Sequence, residues 1–315
     1  MKCLITGATG FVGGAVVRGL ERDSKFKVIA AVRRESHLLP QSIKQVLVGD
    51  LLVDTDYAAA LEGIDVVLHA AARVHVMDDD ASGSLAEFRK VNVEGTLNLA
   101  RQAAKAGVKR FVFISSIKVN GEDTKLGKPF TPDDHIYTQD PYGLSKWEAE
   151  QGLFKLVEDT SMEVVVIRPP LVYGPGVKAN FQKMIQWVKK GVPLPLGSVN
   201  NKRSLIALDN LVDFILLCAT HPKAANEIFL ISDGEDVSTT ELLKKVSKAL
   251  GKKARLIPVS VGLMTFVAKL VGKEDVANRL FGSLQVDSSK ARELLGWKPV
   301  VTMDEQLRKL VEAYK

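Results

Sequence analysis

Short, nearly continuous apolar runs alternate along the first half of the chain with segments whose apolar residues recur at helical spacing. Runs of this length, rich in Val, Ile and Phe, are typical of strands covered on both faces of a parallel sheet. The predicted strands up to residue 168 are Lys2–Thr6, Lys27–Val32, Lys44–Val48, Asp65–Ala70, Arg110–Ser115 and Glu163–Arg168. The predicted helices between them are Gly13–Arg22, Tyr57–Leu61, Asn92–Ala106 and Tyr142–Glu158. This alternation predicts an α/β fold with a Rossmann-type, doubly wound parallel sheet.

The regular alternation ends after residue 168. Segments rich in Pro and Gly at residues 169–170, 174–176 and 193–195 mark a domain boundary. We predict a first domain over residues 1–168, to which the chain returns around residues 204–232, and a smaller α/β domain formed mainly by residues 169–315. The elements predicted in the second half are the strands Ser204–Leu208 and Glu227–Ile231 and the helices Asp209–Ala219, Ser238–Gly251, Met264–Val271 and Met303–Tyr314.

Two segments of the second half allow sharper predictions. Ser238 and Glu241 have the spacing of a capping box, which predicts the start of a helix at that point. The apolar stretch Val261–Leu270 is interpreted as part of the core of the smaller domain, in preference to a contact with membrane-bound machinery.

Composition narrows the class of protein. Apolar residues make up 46% of the chain and charged residues 25%, which is typical of a globular protein and excludes a disordered one. The net charge of +6 suits an anionic small molecule and is too small to indicate nucleic acid binding. Two cysteines cannot form a disulfide framework, which indicates a reducing compartment. Because the first predicted strand begins at Lys2 and no apolar stretch reaches the roughly 20 residues that span a bilayer, we expect a cytoplasmic protein without a signal peptide or membrane span.

A glycine-rich turn follows the first predicted strand directly. Gly7, Gly10 and Gly13 lie between that strand and an amphipathic helix, at the start of a strand–helix–strand pattern. Glycines there allow a tight turn and a close approach of backbone N–H groups to a pyrophosphate, whose charge the helix N-terminus favours. The context predicts dinucleotide binding by the first domain, which leaves the smaller domain for the substrate.

The end of the second predicted strand bears on which dinucleotide binds. An acidic residue there would bind the 2′-hydroxyl of NAD, whereas an arginine accommodates the 2′-phosphate of NADP. The chain has Arg33 followed by Arg34, which favours NADP, although both could be ordinary surface charges. Asp50, which ends the next apolar segment, is placed to accept a hydrogen bond from the adenine amino group. NAD therefore stays open as the alternative.

A tyrosine and a lysine lie four residues apart at the start of the last predicted helix of the first domain. Tyr142 and Lys146 share one face of that helix, and Ser116 follows the preceding strand. An ammonium near a phenol lowers its pKa toward neutrality. Tyr142 could then exchange a proton with a sugar hydroxyl or ketone, and Ser116 would donate a hydrogen bond to the same oxygen.

These motifs occur in the order found in a known family. The chain resembles the extended short-chain dehydrogenase/reductases, in the NAD-dependent epimerase/dehydratase branch of nucleotide-sugar enzymes. The matching segments are residues 6–13, 50–51, 69–72, 92–96, 113–116, 142–146, 168–176 and 295–299. The resemblance covers nearly the whole chain.

The resemblance implies roles for individual residues. Ser116, Tyr142 and Lys146 would be the catalytic triad, with Lys146 also bonding the nicotinamide ribose. Family members bind the dinucleotide at the positions of Gly7, Gly10, Phe11, Val12, Asp50, Leu51, Ala70, Ala72, Asn92 and Pro169, to which Arg33 is added here. The positions of Asn180 and Arg203, and with them Arg279, would hold the diphosphate of a UDP-sugar. A homodimer through the helices Asn92–Ala106 and Tyr142–Glu158 is also implied.

Two departures from the family pattern affect the expected reaction. Residues 119–121 are Val-Asn-Gly where many epimerases have Val-Tyr-Gly after the serine strand, with Lys118 just before them, and Arg33 replaces the acidic residue usual in epimerases that hold NAD. The sequence around Ser116 resembles that of a subgroup encoded in bacterial surface-polysaccharide gene clusters. This subgroup contains 4-reductases that form UDP-N-acetylquinovosamine and proteins described as UDP-glucose 4-epimerases. We expect a UDP-4-keto-6-deoxy-N-acetylhexosamine 4-reductase, because Arg33 suits NADPH and a net reduction draws on NADPH, whereas an epimerase recycles one bound NAD. The alternatives are a UDP-glucose or UDP-N-acetylglucosamine 4-epimerase and, more remotely, a non-catalytic dinucleotide-sensing module.

Other chemistry is less favoured. A dehydratase would carry an acidic pair where Ile117 and Lys118 stand. No metal site is expected, because His69, His75 and His135 are not spaced as ligands and Asp78–Asp80 is interpreted as a solvated loop.

Overall fold

A seven-stranded parallel sheet forms the centre of the protein in a computed structural model, which describes residues 1–74, 84–134 and 138–314. The strands of the central sheet are β1 (Lys2–Thr6), β2 (Lys27–Val32), β3 (Lys44–Leu47), β4 (Val66–His69), β5 (Arg110–Ile114), β6 (Glu163–Arg168) and β9 (Glu227–Leu230). Their order is β3-β2-β1-β4-β5-β6-β9, and every neighbouring pair is parallel. The predicted α/β fold with a doubly wound sheet is confirmed.

Helices cover both faces of this sheet. In the first half they are α1 (Phe11–Glu21), α2 (Ala58–Leu61), α3 (Ser84–Phe88), α4 (Thr96–Lys105) and α5 (Pro141–Glu158). Successive residues of β1 point to opposite faces, so Cys3 and Ile5 join the core under α1 while Leu4 joins the core under α4 and α5. The carboxyl ends of the strands, where the predicted site residues follow, lie along one edge of the sheet.

The second half adds a small sheet and seven further helices among the residues that the structure describes. β7 (Leu171–Tyr173) and β8 (Leu205–Ala207) form a separate two-stranded parallel sheet. The helices are α6 (Ala179–Lys190), α7 (Leu208–Thr220), α8 (Thr239–Ala249), α9 (Val261–Leu270), α10 (Glu274–Phe281), α11 (Ser289–Leu295) and α12 (Met303–Glu312). A third core forms around Phe181, Leu205, Leu243 and Leu307.

The chain returns to the central sheet in two steps. α7 places Leu211, Phe214 and Cys218 in the core under α1, and β9 then pairs with β6. The predicted strand at residues 204–208 is present as β8, but it pairs with β7 and not with the central sheet. The division into a dinucleotide domain and a substrate domain stays a prediction.

Two local predictions need correction, and one is confirmed. Residues 92–95, the first four of the helix predicted over Asn92–Ala106, belong instead to a π-helical segment, Arg89–Gly95, between α3 and α4. α9 was expected in the core, but none of its ten residues, all of which the structure describes, is buried. The capping box of Ser238 and Glu241 is present at the start of α8. Short helices such as α10 and the strand β7 were missed because they are too brief for a periodicity to stand out.

Candidate active site

The glycine turn between β1 and α1 leaves no room for side chains. Gly7 has φ +71°, and a Cβ added there would lie 2.7 Å from the backbone carbon of Ala70. A Cβ added to Gly13 would lie 2.1 Å from the Gly7 carbonyl oxygen, to which Gly10 N–H donates at 2.9 Å. The N-terminus of α1 is therefore approachable along bare backbone, which fits the pyrophosphate of a dinucleotide.

The first two residues of α1, both predicted to bind the dinucleotide, pack against different cores. Phe11 packs against the core around Phe181, whereas Val12 packs against the core under α1. Gly176 approaches the Phe11 ring, because a Cβ there would lie 3.8 Å from it. The first turn of α1 thus joins the central sheet to the small sheet of β7 and β8.

Arg33 and Asp50, which the sequence analysis treats separately, form an ion pair. Their side chains lie 3.4 Å apart at the ends of β2 and of the segment after β3, and 78% and 66% of their surfaces are exposed. A pair this exposed contributes little to stability. Both side chains are free to turn toward a ligand at this edge of the sheet.

The side-chain amide of Asn92 forms its hydrogen bonds with other residues of the protein. Its Oδ1 accepts from Arg73 N–H at 2.8 Å, and its Nδ2 donates to the Arg73 carbonyl and to Ser145 Oγ, each at 3.0 Å. The side chain therefore joins the segment after β4, which holds Ala70 and Ala72, to α5. The π-helical segment also packs closely on Leu51, since a Cβ on Gly95 would lie 2.6 Å from its carbonyl oxygen. Cofactor contact by Asn92 stays a prediction.

The three predicted catalytic residues lie on α5 and on the segment after β5, which hydrogen bonds join at the carboxyl end of that strand. Lys146 is 2% exposed; its Nζ donates to the Ile114 carbonyl at 2.8 Å and lies 4.2 Å from the centre of the Phe113 ring. Tyr142 precedes Lys146 by one turn of α5, and Ser116 Oγ accepts from Lys118 N–H at 3.2 Å just after β5.

Asp140 and Gly143 set the start of α5 against the segment after β5. Asp140 caps α5 by accepting from Gly143 N–H at 2.7 Å, and it pairs with Lys118 at 2.8 Å. A Cβ on Gly143 would lie 2.5 Å from the Lys118 carbonyl oxygen. Lys118 is one of the residues by which the chain departs from the family pattern, and here it bridges Ser116 to the helix of Tyr142. The Asp-Pro pair before the helix was the available signal for the cap.

The protonation of the tyrosine and lysine differs from the prediction. Burial raises the pKa of the Tyr142 hydroxyl, and the carboxylate of Asp140 raises it further. Burial lowers the pKa of Lys146 to about 7, against an opposing effect of Glu150. The lowering of the Tyr142 pKa expected from Lys146 is not found, because the ammonium is directed to the Ile114 carbonyl. In this arrangement Lys146, not Tyr142, titrates near neutrality.

A buried polar cluster below Lys146 was missed by sequence reasoning. Glu150 is completely buried and pairs with Arg168 at 2.6 Å, and Ser115 Oγ donates to its Oε1 at 2.5 Å. Arg168 also donates to Asn120 Oδ1 at 3.0 Å. The cluster ties α5 to the ends of β5 and β6. The sequence feature that could have indicated this cluster is the position of Glu150, four residues after Lys146 on the same helix face.

His69 is a structural residue of this region. Its ring nitrogens lie 2.6 Å from Thr6 Oγ1 and 2.9 Å from Thr96 Oγ1, and the side chain is completely buried. Burial, and then the ammonium of Lys146, lower its pKa to about 3. The imidazole is therefore neutral and holds β1 and β4 to the start of α4.

Two of the predicted substrate residues meet on the small-sheet side. Arg203 donates from Nη1 to the carbonyls of Arg279 and Gly282, each at 3.0 Å. Leu284, two residues after Gly282, packs in one cluster with Ile117, which is next to Ser116. The arginine pair is thereby held close to the catalytic end of β5. Asn180 begins α6, but its side chain lies outside the described part of the structure.

Pro169 also contributes through its backbone at this edge, where its carbonyl accepts from Ile117 N–H at 3.0 Å. Among the residues that the structure describes, no three His, Cys, Asp or Glu side chains form a group that could hold a metal. His75, His135 and Asp78–Asp80 lie outside the described residues. Within the described ranges, no helix combines the length and apolar character needed to cross a membrane.

Comparison with known proteins identifies the family. A model of the NAD-dependent epimerase/dehydratase family matches residues 3–232. The chain belongs to this family. It is accordingly an NAD-dependent enzyme, and the resemblance seen in the sequence is confirmed.

Individual members of the NAD-dependent epimerase/dehydratase family and one solved structure resemble it along most of their length. The UDP-glucose 4-epimerase of Vibrio cholerae is 50% identical over 312 residues, which cover 99% of this chain and 94% of that protein. The N-acetyl-alpha-D-glucosaminyl-diphospho-ditrans,octacis-undecaprenol 4-epimerase of Escherichia coli O157:H7 is 30% identical over 86% of this chain and 81% of its own. The structure of MoeE5 in complex with UDP-glucose and NAD superimposes with a TM-score of 0.77 at 25% identity, covering 100% of this chain and 98% of that one.

Proposed function

We propose that this enzyme inverts the configuration at C4 of a UDP-hexose or UDP-N-acetylhexosamine. The proposal depends chiefly on one observation: the Lys146–Ile114 hydrogen bond joins the helix of Tyr142 to the strand that precedes Ser116, on the sheet edge that carries the glycine turn. The 50% identity to a UDP-glucose 4-epimerase supports the reaction, and so does the second relative, which is also a 4-epimerase.

In this proposal the hydroxyl groups of Tyr142 and Ser116 act on the same sugar oxygen. Tyr142 removes the proton from O4 and later returns it, and Ser116 donates a hydrogen bond to that oxygen throughout. Because burial and Asp140 raise the pKa of Tyr142 in the structure, the phenol needs a positive charge nearby when it gives up its proton. Lys146 supplies that charge if its ammonium turns from the Ile114 carbonyl toward Tyr142.

Glu150 keeps Lys146 available for this role. Burial alone would make the lysine neutral, and the carboxylate one turn below it on α5 opposes that effect. The ion pair with Arg168 holds the Glu150 carboxylate in place below Lys146. We infer that this pair acts through Lys146 and is a positioning element.

The residues around the glycine turn fit NAD. Backbone N–H groups of residues 11–13 would hold the pyrophosphate, and Asp50 would meet the adenosine end. Bound NAD would supply the acceptor for the C4 hydride and the source from which the hydride returns to the other face of the sugar. On the substrate side, Arg203 and Arg279 would hold the UDP diphosphate, and Asn180 would accompany them.

A 4-reductase is the second candidate, and Arg33 is the observation that favours it. The basic side chain lies where a 2′-phosphate of NADPH would be bound, and its exposed pair with Asp50 is easily exchanged. A reductase would use the same Tyr142, now as the donor of a proton to a 4-keto oxygen. The relatives named above do not specifically support this reaction.

One set of incubations separates the two candidates. The purified enzyme is first denatured and the released nucleotide identified by mass, and intact enzyme is then incubated with UDP-glucose, UDP-galactose and their N-acetyl forms. We expect stoichiometric NAD and a mixture of C4 epimers by NMR, with no net oxidation of NADPH. An empty protein that consumes NADPH only with a 4-keto-6-deoxy UDP-sugar would replace the epimerase by the reductase.

The catalytic assignment has a matched control. Tyr142→Phe is expected to abolish turnover while NAD remains bound, since only the acidic hydroxyl is removed. Tyr57→Phe removes a hydroxyl in the core under α4 and should retain turnover. Full turnover by Tyr142→Phe would refute the mechanism, and a bound dinucleotide with no turnover of any sugar in the wild type would favour the sensing module.

We also propose a homodimer through α4 and α5. These helices pack side by side, since a Cβ on Gly152 would lie 2.6 Å from the Leu97 side chain, and together they offer a continuous two-helix surface. Light scattering after size exclusion should give twice the chain mass of 34.4 kDa. A charge introduced on this surface, as in Gln151→Glu with Arg101→Glu, should shift the mass toward the monomer.

A further inference from the structure

The helix α9 presents large apolar side chains to the outside. Leu263, Phe266, Val267 and Leu270 are exposed over 56%, 61%, 48% and 70% of their surfaces. Their spacing of three, four and seven residues places them on one face of the helix. These four residues are called the α9 face below. Isolated exposed apolar residues are ordinary, but four on one helix face form a contiguous patch.

The opposite side of α9 already packs against the protein. Val261 and Met264 contact the core around Phe181 and Leu243. The α9 face is therefore not needed to attach the helix to the molecule. Ile257, Val271 and Val276, in the chain segments on either side of α9, are exposed as well.

Cations predominate around the α9 face. Residues 251–276 contain five cations and two carboxylates: the cations are Lys252, Lys253, Arg255, Lys269 and Lys273, and the carboxylates are Glu274 and Asp275. All five cations are exposed. Among the described residues, only Lys252 of these five makes a hydrogen bond from its side chain, to the carbonyl of Lys189, and none of the five forms a salt bridge. Lys269 lies beside Phe266 and Leu270 on the helix, and Lys273 follows within one turn.

We propose that the α9 face binds the surface of an anionic lipid bilayer. A helix that lies in a membrane interface buries an apolar face at the boundary of headgroups and acyl chains, with lysines around it. Lysine stems can extend over the apolar layer while their ammonium groups reach the phosphates. Five exposed cations against two carboxylates give this part of the surface a net positive charge, which matches the negative surface of an anionic bilayer.

The geometry suits attachment without insertion. α9 has ten residues and is about 15 Å long at 1.5 Å per residue, far short of the hydrocarbon thickness. α10, which carries Arg279, follows α9 directly in the chain. Docking would therefore bring the arginine pair of the candidate substrate site close to the bilayer. The inference concerns the surface alone and holds for an epimerase and for a reductase.

Vesicle flotation tests the proposal on the intact enzyme. One vesicle preparation contains phosphatidylcholine alone, and the other contains equal parts of phosphatidylcholine and phosphatidylglycerol. We expect the enzyme to float with the anionic vesicles, to bind neutral vesicles at least about tenfold more weakly, and to be released by salt.

Variants separate the apolar and ionic contributions. Phe266→Ser with Leu270→Ser should weaken binding to anionic vesicles by about tenfold or more, because two large groups no longer enter the interface. Lys269→Gln and Lys273→Gln should each weaken it by about fivefold. The matched control is Leu38→Ser with Leu126→Ser, which removes two leucines that are as exposed but lie elsewhere, and it should bind like the wild type.

All of these variants should retain the turnover of the wild type in the absence of vesicles, which shows that they are folded. A wild-type enzyme that binds neither vesicle would overturn the proposal, as would serine variants that bind as tightly as the wild type. If the serine variants instead reduce self-association of a protein that ignores vesicles, the α9 face is a protein interface and the proposal is wrong.

Discussion

The cluster under Lys146 and the α9 face both depart from the usual distribution of side chains, the first by burying charged groups and the second by exposing apolar ones. Glu150 and Arg168 are charged and buried, whereas Phe266 and Leu270 are apolar and exposed. Charged residues are rarely buried without partners, and large apolar patches are rarely left in water. The first exception is satisfied inside the molecule by hydrogen bonds. The second has no counterpart among the described residues, and therefore indicates a partner outside it.

The largest expected effect is on turnover at Lys146. Lys146→Met should lower kcat by a factor of about 10²–10⁴, because the phenol of Tyr142 loses the charge that permits proton transfer. Steady-state kinetics with UDP-glucose measure it. Lys290→Met is the control, since this lysine also lies over a phenylalanine ring, that of Phe229 on β9, and pairs with Glu227 at the start of that strand. An unchanged kcat in Lys146→Met would remove the lysine from the mechanism.

Breaking the buried pair should cost more stability than breaking an exposed one. Glu150→Gln is expected to lower the free energy of unfolding by about 3–5 kcal/mol, because Arg168 keeps its charge in the interior without a matching one. Lys309→Met, which breaks a pair whose side chains are 51% and 37% exposed, should cost at most about 1 kcal/mol. Urea unfolding of both variants makes the comparison. Equal losses would show that the buried pair is no more important than a surface one.

Truncating a buried and an exposed leucine tests whether the α9 face contributes to the stability of the protein. Leu153→Ala in α5, where the side chain is completely buried, should destabilise the protein by about 2–5 kcal/mol. Leu270→Ala in α9 should change the stability by no more than about 0.5 kcal/mol. Thermal or urea unfolding without lipid measures both. A large loss for Leu270→Ala would mean that the α9 face packs on the protein in solution.

The low pKa of Lys146 predicts a pH dependence of stability. The folded-state pKa of about 7 lies below the ordinary value of 10.5, so between these values the unfolded chain binds a proton that the folded chain does not. This group therefore makes the free energy of unfolding rise with pH, by up to about 1.4 kcal/mol per pH unit. The difference between wild type and Lys146→Met, measured by urea unfolding from pH 7 to pH 9, should show that slope. A difference that does not vary with pH would contradict the shift.

The smallest expected effect is at Arg33. Arg33→Ala should change the stability by less than about 1 kcal/mol, because its pair with Asp50 is largely exposed. It should weaken the binding of NADPH and leave that of NADH nearly unchanged, as measured by fluorescence titration. Lys25→Ala, an exposed cation near the other end of β2, is the control. Equal losses for both cofactors would show that Arg33 does not distinguish them.

Much of the central sheet was predictable because local patterns carry it. The strand bounds Lys2–Thr6, Lys27–Val32 and Glu163–Arg168 agree with the prediction, since buried parallel strands are continuous apolar runs. The glycine turn was predictable for the same reason: close backbone approach requires glycine. The α9 face was assigned to the core because an apolar segment looks the same whether the protein or a partner covers it.

The sequence by itself determined the fold class, the glycine turn and the spacing of Tyr142 and Lys146, because strand and helix periods and the freedom of glycine are properties of neighbouring residues. Only the tertiary structure decided that Glu150 meets Arg168, that Asn92 is occupied by Arg73 and Ser145, and that Lys146 faces the Ile114 carbonyl. These contacts join residues far apart in the chain. Burial and the direction of pKa shifts depend on such contacts, since they are set by what surrounds a group in space.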